Sequence, residues 1–231
     1  TEVILCPFLN NSLDKIFVIG NGFKSKLLEK GVSQEKVAIC RNWINTSEIL
    51  PKPRYPNPVR DLFGIPGTTR IVLYAGTMGR SHGTHVFLDA AQKLMNEEAM
   101  ADVLFVFVGR GAERTELEKK IRDESIKNAR VFDPVERKDL SHMLSMGDIT
   151  LVSLKPGFAN LSVPSKVLGY LAVGKPILAL VEEDCDTANI IREAECGEVL
   201  NPDNPEKLAN ALRDWLSNDS RRERAGIAAR R

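Results

Sequence analysis

The stretch Val163-Pro-Ser-Lys-Val-Leu-Gly-Tyr-Leu-Ala-Val-Gly-Lys-Pro-Ile-Leu-Ala179 decides how this chain folds. It spells a loop, a short helix and the start of a buried strand. Pro164 suits the first turn of a helix, where a missing N–H costs nothing. Val167, Leu168, Leu171 and Ala172 give that helix an apolar stripe. Gly174 ends it, and Pro176 opens the strand Ile177-Leu-Ala-Leu-Val181. Free amides at a helix start favour an anion, and here they come with the hydroxyl of Ser165 and the ammonium of Lys166. The pattern predicts a phosphate contact by Ser165 and Lys166.

Outward from this unit, short apolar runs alternate with helical patterns. Arg70-Ile-Val-Leu-Tyr-Ala75, Val103-Leu-Phe-Val-Phe-Val108, Arg130-Val-Phe132 and Ile149-Thr-Leu-Val-Ser-Leu154 read as strands, with a short one at Glu198-Val-Leu200. Helices are expected at 84–98, 113–123, 138–146, 186–194 and 205–216, the last capped by Asn204. Strands separated by helices pair in parallel, because parallel neighbours need crossover connections. The expected fold class is α/β, a doubly wound parallel, Rossmann-like sheet.

Residues 1–59 read as a lead-in, with strands at 16–19 and 37–40 around a helix at 23–30. It closes on the run Pro51-Lys-Pro-Arg-Tyr-Pro-Asn-Pro58, which reads as an extended surface linker. Residues 60–231 form the main domain. The tail 221–231 reads as a cut through a longer helix.

Among the 231 residues, 43% hydrophobic and 27% charged content allow a real core. Lys+Arg 32 against Asp+Glu 31 argues against a general nucleic-acid binder. Cys6, Cys40, Cys185 and Cys196 show no CxxC spacing. Cys6 and Cys40 lie in apolar runs, so buried free thiols and a reducing cytoplasm are expected. No apolar run approaches the roughly 20 residues of a membrane span. His82, His85 and His142 lack partners at metal-binding spacing, so no metal and no cofactor is expected.

Ligands of an open parallel sheet sit beyond the carboxyl ends of its strands. Two further loops meet that description. In Gly76-Thr-Met-Gly-Arg-Ser-His-Gly83, Gly76 and Gly79 allow close backbone approach and Arg80 can clamp phosphate oxygens; a plain glycine turn with a solvated arginine fits the same letters. Gly109-Arg-Gly-Ala112 is no G-x-G-x-x-G fingerprint, so a base or ribose on this backbone and a simple turn fit equally. Glu182-Glu-Asp184 reads as a solvated acidic turn.

These loops occur in a familiar order. Asp14-Lys-Ile-Phe-Val-Ile-Gly-Asn-Gly-Phe23, Val37-Ala-Ile-Cys-Arg-Asn-Trp-Ile-Asn45, Leu73-Tyr-Ala-Gly-Thr-Met-Gly-Arg80, Phe107-Val-Gly-Arg-Gly111, Val131-Phe-Asp-Pro-Val135, Gly147-Asp-Ile-Thr-Leu-Val-Ser-Leu154 and Val163-Pro-Ser-Lys166 span nearly the whole chain. It resembles the C-terminal, donor-binding half of a retaining family 4 glycosyltransferase of the two-Rossmann-domain (GT-B) architecture, of the bacterial polysaccharide type.

The resemblance implies a nucleotide-diphosphate sugar, UDP- or GDP-linked, as substrate. Its pyrophosphate is expected on Gly76, Gly79, Arg80, Ser165 and Lys166, and its nucleoside on Gly109, Arg110, Asp133 and Pro134. Two family glutamates fall on Leu161 and Gly169, and the common arginine and lysine of the first loop on Thr77 and His82. An N-terminal acceptor domain carrying the catalytic base and the membrane contact would precede Thr1, or belong to a separate subunit. A closing helix would follow Arg231. The isolated chain is expected to bind nucleotide weakly and to transfer nothing. Two rivals stay open: a donor-binding subunit of a two-chain transferase, and a non-catalytic sugar-nucleotide module.

Overall fold

The computed structural model describes residues 12–159 and 162–231. Cys6 and Leu161 lie outside the described residues. The first elements are β1 (Ile16–Val18), α1 (Asn21–Glu29) and β2 (Val37–Ile39), with β1 and β2 paired in parallel. After α2 (Pro58–Leu62) the alternation predicted from the sequence runs to the end. It comprises β3 (Arg70–Ala75), α3 (His85–Leu94), β4 (Val103–Val108), α4 (Arg114–Asp123), β5 (Ala129–Phe132), α5 (Leu140–Ser145) and β6 (Ile149–Ser153). Then follow α6 (Lys166–Ala172), β7 (Ile177–Leu180), α7 (Asp186–Glu193), β8 (Gly197–Leu200), α8 (Pro205–Leu216) and α9 (Asp219–Arg230).

β3 to β8 form one six-stranded parallel sheet in the order β5-β4-β3-β6-β7-β8. The winding runs outward from β3 to one edge, then restarts beside β3 with β6 and runs to the other. The reversal between β3 and β6 opens a crevice at the carboxyl ends of the strands.

Alternate residues of each central strand feed two cores. Val72, Tyr74, Phe105 and Phe107 pack under α3, α4 and α8. Ile71, Leu73, Val106 and Val108 pack under α5, α6 and α7. Both faces are covered, so the strands are continuous apolar runs rather than alternating ones.

The proline-rich run is largely exposed and has no helix or strand before Pro58, and one expectation, that for Cys40, is corrected. Leu50 N–H and Lys52 N–H donate to the hydroxyls of Ser141 and Ser145 on α5. The run then ends in α2, because Asn57 Oδ1 accepts from Val59 N–H and Pro58 needs no donor at the helix start. Cys40 is exposed, not buried: it follows the last residue of a two-stranded sheet, where an apolar run has only one face to hide. Cys185 and Cys196 are buried free thiols. The tail is helical, as expected, and α9 buries Ala225, Gly226 and Ala229.

Candidate functional site

A cleft of about 1080 Å³ opens at the point of strand reversal. The ends of β3 and β4 bring Gly76, Thr77, Gly109 and Arg110 to it; the loop into α6 brings Ser162 to Lys166; His82, Pro134 and the segment 42–44 complete the wall. Of the residues the sequence singled out, Gly76, Ser165, Lys166, Gly109, Arg110 and Pro134 meet here. Gly79, Arg80 and Asp133 do not line the cleft. Arg80 is exposed and makes no hydrogen bond or ion pair among the described residues. Asp133 is paired with Arg114 at 2.6 Å and with Arg110 at 3.6 Å.

The helix is short, as expected, but starts later than Pro164 suggested. Pro164 precedes the cap, Ser165 is the cap residue without a side-chain bond, and α6 has only seven residues. So short a helix has a weak dipole, and charge at this point rests mainly on Lys166. Its Nζ is buried, has no hydrogen-bond partner among the described residues, and stands 3.7 Å above the centre of the Tyr74 ring. Burial pulls its pKa down to about 7. The ring face partly offsets the lost water. A methyl group built on Gly76 would come 3.3 Å from Lys166 Cε and 3.6 Å from Nζ, so the ammonium lies directly behind that glycine.

The loop carrying Gly76 is held by the protein's own hydrogen bonds. Tyr74 Oη donates to the Thr77 carbonyl at 2.6 Å, and Met78 N–H to the Arg110 carbonyl at 2.9 Å. Ser153 Oγ donates to the His82 carbonyl, and Lys155 N–H to the Ser81 carbonyl at 2.8 Å. Glu113 accepts from Thr84 Oγ1 at 3.0 Å and from Lys155 Nζ at 3.2 Å. On the far side, the fully buried Tyr170 of α6 accepts from Ala75 N–H at 2.8 Å, which ties the end of β3 to the lysine helix.

The glycines after β4 have a packing duty. A Cβ on Gly109 would lie 1.9 Å from the Gly76 carbonyl oxygen, and one on Gly111 2.4 Å from that of Met78. The two loops therefore touch backbone to backbone. Glycine at 109 answers this approach whether or not a ligand lies on it.

His82 is the residue that sequence reasoning passed over as a site. It lines the cleft with Nδ1 3.3 Å from the Ser153 carbonyl. A carbonyl beside Nδ1 fixes the proton there and leaves Nε2 as an acceptor in the neutral ring. Burial, then the nearby Lys166, lowers its pKa, so the neutral form prevails at pH 7. No local pattern announced this, because the carbonyl that orients the ring lies 71 residues away. His142 is half-buried on α5, and Glu182 accepts from Gly157 N–H at 3.1 Å, both away from the cleft. No grouping of metal-binding side chains occurs among the described residues. No helix among them is long and apolar enough to cross a membrane.

A parallel sheet wound in this order, with its cleft at the reversal, is Rossmann-like, and it matches the Rossmann-like domains of GT-B glycosyltransferases. Anabaena Alr3699/HepE, solved in complex with UDP and glucose, superposes with a TM-score of 0.82 at 15% identity, over 99% of this chain and 60% of that one. A glycosyltransferase from Rickettsia africae gives 0.78 at 18% identity, over 98% and 61%. The chain belongs to the family described as "Glycosyl transferases group 1", which residues 59–231 match. It is 30% identical over 208 residues to the probable glycosyltransferase WbjE of Pseudomonas aeruginosa, covering 90% of this chain and 51% of WbjE. It is 29% identical over 215 residues to the putative colanic acid biosynthesis glycosyl transferase WcaI of Escherichia coli, covering 89% and 50%. The chain thus spans about half the length of these curated relatives.

Proposed function

We propose that this chain is the donor-binding half of a retaining glycosyltransferase that takes its sugar from a nucleotide diphosphate and builds a cell-surface polysaccharide. The observation that carries this reading is the buried, unpaired ammonium of Lys166 behind Gly76. A charge held out of water without a partner costs several kcal/mol in principle and is retained where a ligand of opposite charge supplies the missing partner. A diphosphate on the glycine backbone of residues 76–77 meets that requirement. In the reaction its leaving group gains negative charge, and a preformed cation behind the loop stabilises that charge without reorganisation. Arg80, exposed outside the cleft lining and unpaired among the described residues, is free to swing onto an outer phosphate oxygen.

The nucleoside then extends past Gly109 and Arg110 towards Pro134. The ribose is not gripped by a glutamate at 169. That position is a glycine, and a Cβ there would come 3.2 Å from Leu144 Cδ1, so the leucine crowds the place a longer side chain would start from. UDP and UDP-glucose in the HepE structures, and colanic acid biosynthesis in the description of WcaI, support a nucleotide sugar and a surface glycan or lipid-linked acceptor. Retention of configuration rests on the family 4 likeness. The acceptor domain, whether on the same polypeptide or a partner, brings the base and the membrane contact at the cytoplasmic face.

Calorimetric titration of UDP and GDP into the native protein and the Arg80→Ala and Lys166→Ala variants tests the reading. Loss of Lys166 is expected to weaken binding by about 1.5–3 kcal/mol, the scale of a hydrogen bond to a charged group, and loss of Arg80 by less. Unchanged affinity in Lys166→Ala would remove the phosphate assignment.

A further inference from the structure

The cleft has two unlike halves. Lys166, His82, Thr77 and Gly76 make one end polar and cationic, whereas Pro134, Val135, Leu140 and Ile44 make the other apolar. Trp43 lines the cleft with this apolar end, yet it is 82% exposed. Its neighbour Ile44 packs on the core with Val135 and Leu140, so the indole stands next to that wall rather than in it. The backbone that carries it is fixed. Ser47 N–H and Glu48 bracket the Asn45 side chain, Glu48 pairs with Arg137 at 2.6 Å, and Leu50 N–H donates to Ser141. A large aromatic that is almost wholly exposed, on an anchored segment at the lining of an open apolar half-cleft, is placed to receive a flat ring.

We infer that Trp43 is a binding residue that stacks on the nucleobase of a nucleoside diphosphate lying across the cleft. The inference rests on the donor-binding reading and adds a residue of the segment between β2 and α2 to it. The ligand's own chemistry sets the direction: phosphates belong with Lys166, which leaves the base at the apolar end. Stacking is tolerant of base identity, because every base offers a π-face. Trp43 thus supplies affinity for the nucleoside, and backbone groups near Gly109 and Pro134 supply the choice of base.

The chain has two tryptophans, and Trp215 is buried with its Nε1 donating to Glu198, so ligand-induced quenching reports on Trp43. UDP and GDP are titrated against native protein, Trp43→Ala and Trp43→Phe, with inorganic pyrophosphate as the baseless probe. Native protein is expected to be quenched by a nucleotide and not by pyrophosphate. Trp43→Ala is expected to bind that nucleotide about tenfold more weakly by calorimetry while holding pyrophosphate within about twofold. Trp43→Phe is expected to keep most of the affinity and lose the fluorescence signal. Nucleotide binding that is unaltered in Trp43→Ala, or equal losses for nucleotide and pyrophosphate, would overturn the stacking role and leave the Lys166 site standing. Binding of none of the three probes by native protein would overturn both.

Discussion

The ammonium of Lys166 sits 3.7 Å above the ring of Tyr74, and the same tyrosine's hydroxyl holds the carbonyl of Thr77. One side chain at the end of β3 thus supports both the cation and the loop in front of it. Removing the cation should relieve the fold even as it removes the proposed phosphate contact. Lys166→Met is expected to raise the unfolding free energy by a few kcal/mol at pH 6, because an unpaired buried charge is replaced by an apolar chain of similar length. Chemical denaturation at pH 6 checks this. The gain should shrink at pH 9.

The sign of that shrinkage follows from linkage. Lys166 falls from 10.5 to about 7 on burial, so between those values the unfolded chain binds the extra proton and the folded one does not. Stability therefore rises with pH through the window from about 7 to 10.5, and the penalty is complete only below it. His82, whose pKa is also lowered, is already neutral there and adds no opposing step.

Ligand binding should run the other way. A diphosphate beside Lys166 restores the ammonium, so binding at pH 8 takes up close to one proton and affinity falls as pH rises above 7, by up to about tenfold per unit. Titrations in two buffers of different ionisation enthalpy measure the uptake directly. No proton uptake at pH 8 would mean that Lys166 is not next to the bound phosphate.

Gly109→Ala is expected to destabilise the domain by several kcal/mol, since its φ of +154° and a 1.9 Å approach to the Gly76 carbonyl leave no place for a methyl group. Thermal unfolding checks it. The loss should appear without any nucleotide present, which separates packing from binding.

Tyr170→Phe leaves Ala75 N–H buried without its acceptor, at a cost of about 1–3 kcal/mol, and frees the end of β3 from α6. Hydrogen exchange at Ala75 and Gly76 is expected to quicken more than exchange at the far end of β3. Equal protection along the strand would show that the tyrosine does not fix the loop.

The sheet was legible because β3, β4, β6 and β7 are mostly apolar runs with helices between them, the pattern of a parallel sheet covered on both faces. Asn57-Pro58 was a readable helix start that the three prolines before it hid. The loops were harder. A glycine needed for a ligand and a glycine needed for a neighbouring backbone are the same letter, and only the meeting of Gly109 with Gly76 tells them apart. Lys166 was legible from its place at a helix start, but its burial depends on Tyr74, which is far away in sequence. Cys40 misled because an apolar run signals burial only when both faces of its sheet are covered.

The central claim is that Lys166 receives a diphosphate at the reversal of the sheet. The most direct measurement is the affinity of inorganic pyrophosphate for native protein and for Lys166→Met at pH 7, by calorimetry. At least tenfold weaker binding in the variant, with its fold intact by circular dichroism, is expected; equal affinity in the two would contradict the account.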